Sequence, residues 1–385
     1  MQRRRFLGMG SAAFAALAPI VPTKAAAQEA APLPFATRHP VEAVRASTDR
    51  VIDIAVCTRP FRAQGPRIEA ERRHGKAIVH HYGHGGSGWS LSWGSARTAL
   101  PLILATRAKR IAVIGCGAIG LTTARVAQDA GLRVRIYCRE RPPEVASSRA
   151  TGLWTPDSRI CTTEFATPAF TQRWESMARQ SFKTYQSLLG LAGEPVQWRD
   201  GYSLSDVSFD QLPGGLPNEP DYPDLNALIP ELSPHSVMLA AGEHPFRVAH
   251  VRRFSQMVFN ISSYQRLLMD DFQRNGGEIV HREFTHEREL AGLPEHTIVN
   301  CTGYGARALF GDESIVPVRG QTARLIPQPE VDYVLMYRGH NVAMVPRHDG
   351  LLVQAQGEHD FGNADAAPDR ALTEAAVARL AALFP

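Results

Sequence analysis

A short apolar strand that runs into a glycine-rich turn and then a helix constrains the fold more than any other segment. Residues 110–114 are Arg-Ile-Ala-Val-Ile, and the turn that follows, Gly115-Cys116-Gly117-Ala118-Ile119-Gly120, has the pattern G-x-G-x-x-G. Residues 121–130 have the apolar spacing of a helix, and residues 133–137 form the next strand. Glycines at these positions let the backbone approach a pyrophosphate at the positive end of the helix. The segment therefore predicts a Rossmann-type dinucleotide-binding domain in an α/β fold.

The second strand of this unit ends in Arg139-Glu140, about twenty residues after the glycine turn. A carboxylate at this point of a Rossmann unit accepts hydrogen bonds from the ribose hydroxyls of the dinucleotide. We therefore expect Arg139 and Glu140 to belong to the cofactor site. The alternative is that Glu140 is only a solvated charge at the end of a strand.

A second glycine cluster lies upstream of the first, which is an unusual position for it. Residues 80–89 are His-His-Tyr-Gly-His-Gly-Gly-Ser-Gly-Trp, with a predicted strand before them and a predicted helix after them. A metal site built on His80, His81 and His84 is one interpretation. It is the weaker one, because no carboxylate is spaced to complete such a site.

Composition limits the domain count and the class of partner. A chain of 385 residues that is 44% hydrophobic can bury two moderate cores, so two intertwined domains are expected. The 42 basic and 38 acidic residues nearly balance, and no basic stripe with interleaved aromatic residues is present. These features argue against a nucleic-acid partner. The five cysteines have no paired spacing, so we expect neither a catalytic cysteine, a metal site nor a disulfide scaffold.

The first 28 residues have the pattern of a twin-arginine export signal. Arg3-Arg4-Arg5 precedes a small apolar run over residues 8–21, and Ala25-Ala26-Ala27 suits a cleavage site before Gln28. A short amphipathic helix of the mature fold is the alternative, but the run has no polar face of helical period. We expect the precursor to engage the twin-arginine export machinery and the mature protein to be periplasmic. Residues 29–49 are predicted to be a mobile arm.

The rest of the chain predicts a second domain. Residues 195–243 are rich in turns and short strand fragments, which favours an antiparallel sheet. A strand is predicted at 250–259, a helix at 262–275, a strand within 297–304 that turns on Gly303, and a last helix at 369–383. Further strands are predicted at 51–56, near 331–337 and at 351–356. The fold class is therefore α/β, with a Rossmann-type domain and a largely antiparallel second domain.

Six motifs together resemble the D-amino-acid oxidase and D-aspartate oxidase family of flavoenzymes. The likeness covers nearly all of the chain after about Val51. The motifs are the strand and turn at 110–120, Gly152-Leu153-Trp154-Thr155-Pro156, Val299-Asn300-Cys301-Thr302-Gly303, Arg319-Gly320-Gln321, Thr58-Arg59-Pro60 and residues 82–89.

The resemblance implies FAD as the cofactor and a D-amino acid and oxygen as the small-molecule partners. The α-hydrogen of the substrate passes as hydride to flavin N5, the imino acid hydrolyses to a 2-oxo acid and ammonia, and oxygen is reduced to hydrogen peroxide. A related amine or amino-acid dehydrogenase that uses a quinone or cytochrome acceptor is the alternative. A flavin-binding protein without catalysis is a third.

The resemblance also implies the roles of individual residues. Arg59 would bind the substrate carboxylate through its planar guanidinium, and Gly86 and Ser87 would join it at the reacting centre. Residues 85–88 would bring backbone donors against the flavin ring, where side chains would not fit. Ser147 and Ser148 would lie at the phosphate and ribose region of FAD, and Trp154 near the flavin. The full set implied to bind the cofactor is Gly115, Gly117, Ala118, Ile119, Gly120, Arg139, Glu140, Ser147, Ser148, Gly152, Leu153, Trp154, Gly85, Gly86, Ser87, Gly88, Trp89, Thr302 and Gly303.

The family tyrosine that helps to hold the carboxylate is missing. It stands three residues before the proline of a strand, and Ala343 occupies that position here, before Pro346. Either Tyr337 or Tyr333 replaces its hydroxyl, or the substrate is not a simple D-amino acid. Arg347 and His340 would favour an acidic substrate side chain, unless both are merely solvated.

The order of the motifs differs from the family order. Family members begin with the nucleotide-binding strand and end with the Arg-Pro and Tyr-Gly-His-Gly-Gly motifs, which here precede Gly115. This is the pattern of a circular permutation, and a misassembled or truncated gene is the alternative. We expect an FAD-binding domain at 75–160 and 255–320. The substrate domain would comprise 50–74, 161–254 and 321–385.

Overall fold

Two β-sheets, one mostly parallel and one mostly antiparallel, organise residues 41–385, the part of the chain that the computed structural model describes. The predicted export signal and residues 29–40 of the predicted arm lie outside the described residues. No helix within residues 41–385 is long and apolar enough to cross a lipid bilayer.

The regular elements alternate along the chain as an α/β protein requires. The strands are β1 (Val51–Arg62), β2 (Arg67–Arg73), β3 (Lys76–Tyr82), β4 (Arg110–Ile114), β5 (Arg133–Cys138), β6 (Val196–Ser205), β7 (Val237–Leu239), β8 (His250–Phe259), β9 (Glu278–His281), β10 (Thr297–Asn300), β11 (Ile315–Leu325), β12 (Val334–Tyr337), β13 (Val342–Arg347) and β14 (Gly350–Ala355). The helices are α1 (Gly88–Ala105), α2 (Ala118–Asp129), α3 (Pro168–Gln186), α4 (Ile261–Arg274), α5 (Ala306–Phe310) and α6 (Arg370–Ala381).

The six-stranded sheet is the predicted Rossmann-type sheet. Its order is β2-β3-β10-β4-β5-β9, and every neighbouring pair except β2-β3 is parallel. Strand β4 is buried from Ile111 to Ile114, as expected for a parallel strand that is covered on both faces. Helices α1, α2 and α4 cover one face, against Ile111 and Val113, and α2 packs against both α1 and α4. Leu290 and Leu293 cover the other face, against Ala112 and Ile114. The predicted fold class is confirmed.

The strand order reverses between β4 and β10. From β4 the chain crosses through α2 to β5 on one side, whereas β10 and β3 lie on the other side. Ligands of open α/β sheets bind outside the carboxyl ends of the strands at such a switch point. The topology therefore places the cofactor site where β4, β10 and β3 end.

The eight-stranded sheet follows the order β1-β11-β14-β13-β12-β6-β8-β7 and is antiparallel except between β12 and β6. Strand β1 forms one edge and pairs with β11 along its whole length, with Arg59 opposite Val318. Pro60 contributes no N–H to this ladder, and its carbonyl accepts from Gly85 at the end of the other sheet. The edge strand that carries Arg59 is thus connected to the Rossmann sheet.

Several elements differ from the sequence expectation. Strand β1 continues to Arg62, six residues beyond its predicted end, because β11 pairs with all of it. Strand β11 was not predicted, since its buried Arg319 and Gln321 hide the apolar pattern of a core strand. Strand β2 belongs to the six-stranded sheet although it falls in the predicted substrate segment. The domain division itself stays a prediction.

The predicted mobile arm is wrong for residues 41–46. Val44 is buried in the core that contains α6, and Gln328 binds the segment twice. Its side-chain oxygen accepts from the Arg45 amide at 2.9 Å, and its amide donates to the Ala43 carbonyl at 2.9 Å. The segment has little periodicity because it is held by these backbone contacts and not by a continuous apolar face.

Helices α1 and α3 approach unusually closely at Gly94. The Gly94 amide donates to Ser181 Oγ at 2.8 Å, and a Cβ at this position would overlap the backbone of Met177. The contact explains why this part of α1 consists of small residues although glycine is a poor helix former.

Replacement of Gly94 by alanine should destabilise the protein by about 1–3 kcal/mol, because the added methyl group forces two helices apart. Thermal unfolding measures the loss. Gly214→Ala is the control, because a Cβ there meets no atom within 4 Å. Equal melting temperatures for the two variants would contradict the close contact.

Candidate functional site

Three adjacent parallel strands each end in a glycine-containing turn at the same edge of the six-stranded sheet. Strand β4 leads to Gly115, β10 to Thr302-Gly303, and β3 to residues 83–88. Asn300 lies opposite both Ile114 and His80 in the sheet register, and β3 runs two residues further, to Tyr82, before its turn. The structure thus brings together motifs that lie more than 200 residues apart in the chain.

The turn after β4 is packed so closely that only glycine fits. Gly115 has a φ of +107°, and a Cβ there would lie 2.6 Å from the carbonyl oxygen of Cys301. A Cβ on Gly120 would overlap the carbonyl of Gly115. These contacts hold the start of α2 directly over the sheet edge, as a pyrophosphate site requires.

The N-terminal ends of α1 and α2 meet at Ser147. The Ser147 hydroxyl accepts a hydrogen bond from the Ala118 amide at 3.0 Å. The Ser147 carbonyl accepts one from Trp89 Nε1 at 2.8 Å. Neither helix is capped by the side chain of its own N-cap residue, which is Ser87 for α1 and Gly117 for α2. The two helix N-termini therefore present partial positive charge at one point, which suits the diphosphate of a dinucleotide.

The predicted adenosine end is open. A cavity of about 200 Å³ lies at the carboxyl ends of β5 and β9 and is lined by Cys138, Arg141, Ile279 and His281. Glu140 follows β5 at this edge and pairs with Arg139 at 3.1 Å in an exposed position. Arg141 and His281 were not found from the sequence, because no motif marks them.

Other residues predicted for the cofactor stand around the same edge. Ser148 donates to Gln265 on α4 at 2.8 Å. Gly152 has a φ of +88° and packs on the Phe259 carbonyl, and Leu153 bridges to Val258. Trp154 is buried against Phe182 and Tyr185, and Gly303 lies beside Pro60.

The predicted backbone donors at 85–87 are already used within the protein. The Gly85 amide donates to Pro60, the Gly86 amide to Ser158, and the Ser87 amide to His84, at 2.9–3.0 Å. The Ser87 hydroxyl also donates to the Ser158 carbonyl. The expectation that these three amides donate to a flavin ring is therefore wrong for this conformation. Their bonds shape a tight loop whose open end is Gly88, where a Cβ would meet no atom within 4 Å.

The histidines before this loop form a neutral hydrogen-bond chain. Thr123 donates its proton to Ile119, so His81 Nδ1 donates to Thr123, and His81 Nε2 accepts from Ser95. His84 Nε2 must then donate to the Ser95 oxygen, which leaves His84 Nδ1 as a buried acceptor without a partner. Burial lowers the pKa of His84 to about 3. An unused acceptor beside the glycine loop fits a site that is completed by a ligand.

Metal binding has no support in the described part of the chain. His80 binds Glu71 and Asn300 on opposite ring nitrogens, at 2.8 Å and 3.1 Å. No group of three or more histidine, cysteine, aspartate or glutamate residues within 41–385 could hold a metal ion. All five cysteines, which lie in this part, are free thiols.

Arg59 projects toward the same region from the edge strand β1. Its Nη1 donates to the Arg319 carbonyl at 2.8 Å, and Gly320 lies under the guanidinium, where a Cβ would be 2.6 Å from Nη2. No carboxylate within residues 41–385 approaches it within the 4.0 Å of an ion pair. Burial lowers the pKa of Arg59, although a guanidinium stays charged at any physiological pH.

The charged neighbours of Arg59 are paired with other groups. Arg319 lies 3.8 Å from Asp360, and Arg159 binds Glu219 through two bonds of 2.8 Å and 2.6 Å. Cys57 lies on the same face of β1, but burial raises the pKa of its thiol, so it is not a counter-ion. The Arg59 charge is thus left for a ligand.

The structure does not place the two predicted substitute tyrosines at this site. The Tyr337 hydroxyl binds both oxygens of the exposed Asp206 at 2.9 Å, and the Tyr333 hydroxyl donates to the Glu42 carbonyl. Ala343 lies on β13, paired with Met336 of β12. The expectation that Tyr337 or Tyr333 replaces the missing tyrosine hydroxyl is therefore wrong, because each hydroxyl already has a partner away from Arg59.

The expectation that Arg347 and His340 favour an acidic substrate side chain is likewise wrong. Arg347 is buried, binds Asp349 and donates to the Ala150 carbonyl at 2.8 Å, and His340 binds the exposed Asp206. Both therefore have structural partners. Four residues near Arg59 were missed: Arg159, Glu219, Tyr222 and Gln356. The first three come from irregular segments without a sequence pattern, and Gln356 ends a predicted strand but belongs to no motif.

Comparison with known proteins agrees with this site. Residues 110–385 match the family described as FAD dependent oxidoreductase. A D-amino-acid oxidase of Streptomyces coelicolor is 30% identical over 280 residues, which cover 71% of this chain and 78% of that protein. A D-amino-acid oxidase of Rubrobacter xylanophilus is 27% identical over 72% of this chain and 77% of its own. A D-aspartate oxidase of Talaromyces thermophilus is 49% identical over 59 residues, 15% of this chain and 16% of its own.

The chain belongs to the D-amino-acid oxidase family of FAD-dependent oxidoreductases. It is an amino-acid oxidoreductase with FAD as its cofactor. The residues present fit that cofactor, since the closed glycine turn at Gly115 and the two helix N-termini at Ser147 form a diphosphate site. Bound FAD supplies the hydride acceptor, whereas the protein supplies orientation and charge.

Replacement of Gly117 by aspartate should separate helix stability from FAD binding. Gly117 has extended backbone angles at the N-cap of α2, where an aspartate side chain would cap the helix. The apoprotein should be as stable as the parent or more stable. The added charge should weaken FAD binding at least about tenfold, because it repels the diphosphate.

FAD titration by fluorescence and melting of the apoprotein measure the two effects. Gly117→Asn is the neutral control of the same shape and should bind FAD more tightly than Gly117→Asp. Equal FAD affinity for both variants would place the diphosphate elsewhere.

Proposed function

We propose that the enzyme oxidises D-amino acids to 2-oxo acids, ammonia and hydrogen peroxide. The observation that carries this proposal is the guanidinium of Arg59, which lies partly buried beside Gly320 without a carboxylate partner. Removal of an unpaired charge from water costs free energy, so such a group is retained where a ligand neutralises it. The α-carboxylate of an amino acid is a planar anion of matching geometry.

The position of Arg59 supports its role in orienting the substrate. The Pro60 carbonyl, next in the chain, accepts from Gly85, and the Pro60 ring lies 3.9 Å from where a Cβ on Gly303 would stand, so β1 adjoins two of the three turns at the cofactor edge. A carboxylate held by Arg59 is therefore held at a set distance from that edge. Fixing a reactant in this way lowers the entropic part of the barrier.

Oxygen is the proposed electron acceptor, and a quinone or cytochrome is the alternative. The identified relatives in Streptomyces and Rubrobacter bear the name oxidase, which favours oxygen. Export to the periplasm by the twin-arginine route stays part of the proposal, on the pattern of residues 1–28. Peroxide formation with each turnover separates an oxidase from a dehydrogenase.

We also propose that the family order is circularly permuted in this chain. The family match begins at Arg110, whereas Arg59 and the loop at 83–88 precede it. Two features support this order. Only four residues join α1 to β4, and α6 packs in the same core as Val44, beside the start of β1.

The variant Arg59→Met should lose about 100-fold in kcat/KM, chiefly through KM, since it removes a charged hydrogen bond to the substrate. FAD content should not change. The melting temperature of the ligand-free enzyme should stay equal or rise, because an unpaired, partly buried charge is removed. Kinetics with several D-amino acids, flavin absorbance and thermal unfolding are the measurements.

Arg72→Ala is the control, because it removes an exposed arginine of β2. It should leave kcat/KM, FAD content and melting temperature unchanged. A stable, flavin-loaded Arg59→Met enzyme with parental kinetics would refute the carboxylate assignment. No flavin reduction by any D-amino acid in the parent would refute the proposed function.

A relinked chain tests the permutation. This chain begins at Ala108, joins Pro385 to Val41 through about ten glycine and serine residues, and ends at Arg107. It should fold, bind FAD and unfold within about 1 kcal/mol of the parent, because the new linker costs little. Soluble protein without flavin binding would show that the connection between α1 and β4 is essential, contrary to the proposal.

A further inference from the structure

A wall of polar side chains faces Arg59 from outside β1. We call it the polar wall and define it by four residues: Arg159, Glu219, Tyr222 and Gln356. Arg159 and Glu219 form the buried ion pair, in which the Glu219 side chain is only 4% exposed. With its oxygen turned toward Arg159, the Gln356 side chain accepts from Nη1 at 3.2 Å.

The polar wall adjoins both Arg59 and the glycine loop. Tyr222 packs edge-on against Phe61 at 5.8 Å between ring centroids, and Phe61 projects from the same face of β1 as Arg59. The backbone of Arg159 lies against Gly85, where a Cβ would overlap its carbonyl. Electrostatic coupling of Arg59 to Arg159 and Glu219 agrees with this proximity.

One hydroxyl of the polar wall is unused. The Tyr222 ring lies 5.9 Å from the Arg159 guanidinium, near Glu219, but its buried hydroxyl makes no hydrogen bond of good geometry within residues 41–385. Burial raises the pKa of Tyr222, so the hydroxyl stays protonated and can both donate and accept. A buried polar group without a partner is a rare and costly feature, and a ligand that binds it removes the cost.

The charges of this region leave room for a single carboxylate. Arg59 and Arg159 contribute two positive charges, and Glu219 contributes one negative charge that is committed to Arg159. The Arg319 and Asp360 pair adds no net charge. Among these five charged groups the surplus is one positive charge, at Arg59, which the α-carboxylate neutralises. A second carboxylate on the substrate would be buried beside Glu219 without a counter-ion.

We propose that the polar wall selects D-amino acids whose side chain is uncharged and forms hydrogen bonds, such as an amide or hydroxyl, with Tyr222 as the residue that binds it. This inference rests on the proposed function and assigns its substrate class. Tyr222 is a specificity residue in this assignment and not the holder of the α-carboxylate.

Three substrates of nearly the same shape test the assignment. D-asparagine, D-leucine and D-aspartate differ mainly in side-chain polarity and charge. The holoenzyme should oxidise D-asparagine with a kcat/KM at least about tenfold above that for D-leucine, because an apolar group leaves Tyr222 unpaired. D-aspartate should be the poorest of the three. A preference for D-leucine or D-aspartate over D-asparagine would overturn the assignment.

The variant Tyr222→Phe keeps the ring and removes only the hydroxyl. It should lower kcat/KM for D-asparagine about tenfold, chiefly through KM, and leave D-leucine oxidation within about twofold. Tyr202→Phe is the matched control, since this ring packs against Phe246 and Tyr333 in the other core. An unchanged preference in Tyr222→Phe, with full flavin content, would overturn the role of this hydroxyl.

The variant Glu219→Gln adds one positive charge to the region without a change in shape. It should raise the D-aspartate to D-asparagine ratio of kcat/KM by about tenfold or more. Flavin content and melting temperature show whether the Glu219→Gln variant is folded. If it is not, the Tyr222→Phe variant still tests the assignment. Anaerobic flavin reduction by D-asparagine, D-leucine or D-aspartate is a separate experiment, which tests the proposed function independently of the order of preference. A folded Glu219→Gln variant with the parental D-aspartate to D-asparagine ratio of kcat/KM would overturn the charge assignment.

Discussion

A partly buried guanidinium without a carboxylate partner is the constraint on which the proposed substrate site depends. Arg59 can remain unpaired only because each nearby acid is held by another arginine, Asp360 by Arg319 and Glu219 by Arg159. Gly320 gives the guanidinium its space, and the Arg319 carbonyl accepts one of its hydrogen bonds. Three arginines and two acids thus form an arrangement that is one negative charge short, a charge that the carboxylate of the proposed substrate would supply.

The cofactor side depends on helix ends instead of charged side chains. Ser147 touches the first turns of both α1 and α2, so the positions of these two helix dipoles are set by one residue. Backbone amides and glycine contacts define the rest of the edge. This difference between the cofactor side and the substrate side has a chemical reason. FAD is a permanent ligand that backbone groups can enclose, whereas a substrate must be bound, oriented and released by side chains.

The sequence predicted the backbone part of the site better than the side-chain part. Gly115, Gly303 and the loop at 83–88 carry motifs, because close packing allows only glycine at defined spacings. Arg59 was found through its Arg-Pro motif. Tyr222 and Glu219 were not found, since they reach the site from an irregular segment whose path depends on long-range packing. Tyr337 was chosen for its position near Ala343, but its bond to Asp206 depends on the β6 connection, which no local pattern specifies.

Part of the cofactor edge is built from nearby sequence, although β10 joins it from residues 297–300. Ser147 reaches Ala118 and Trp89 across 29 and 58 residues, and His81 reaches Thr123 across 42. Loop-closure entropy and contact order both favour early formation of contacts at such separations. By contrast, Arg59 pairs with β11 about 260 residues away. Contacts within residues 81–147 can therefore form before β10 completes the cofactor edge and before β1, which carries Arg59, finds its partner.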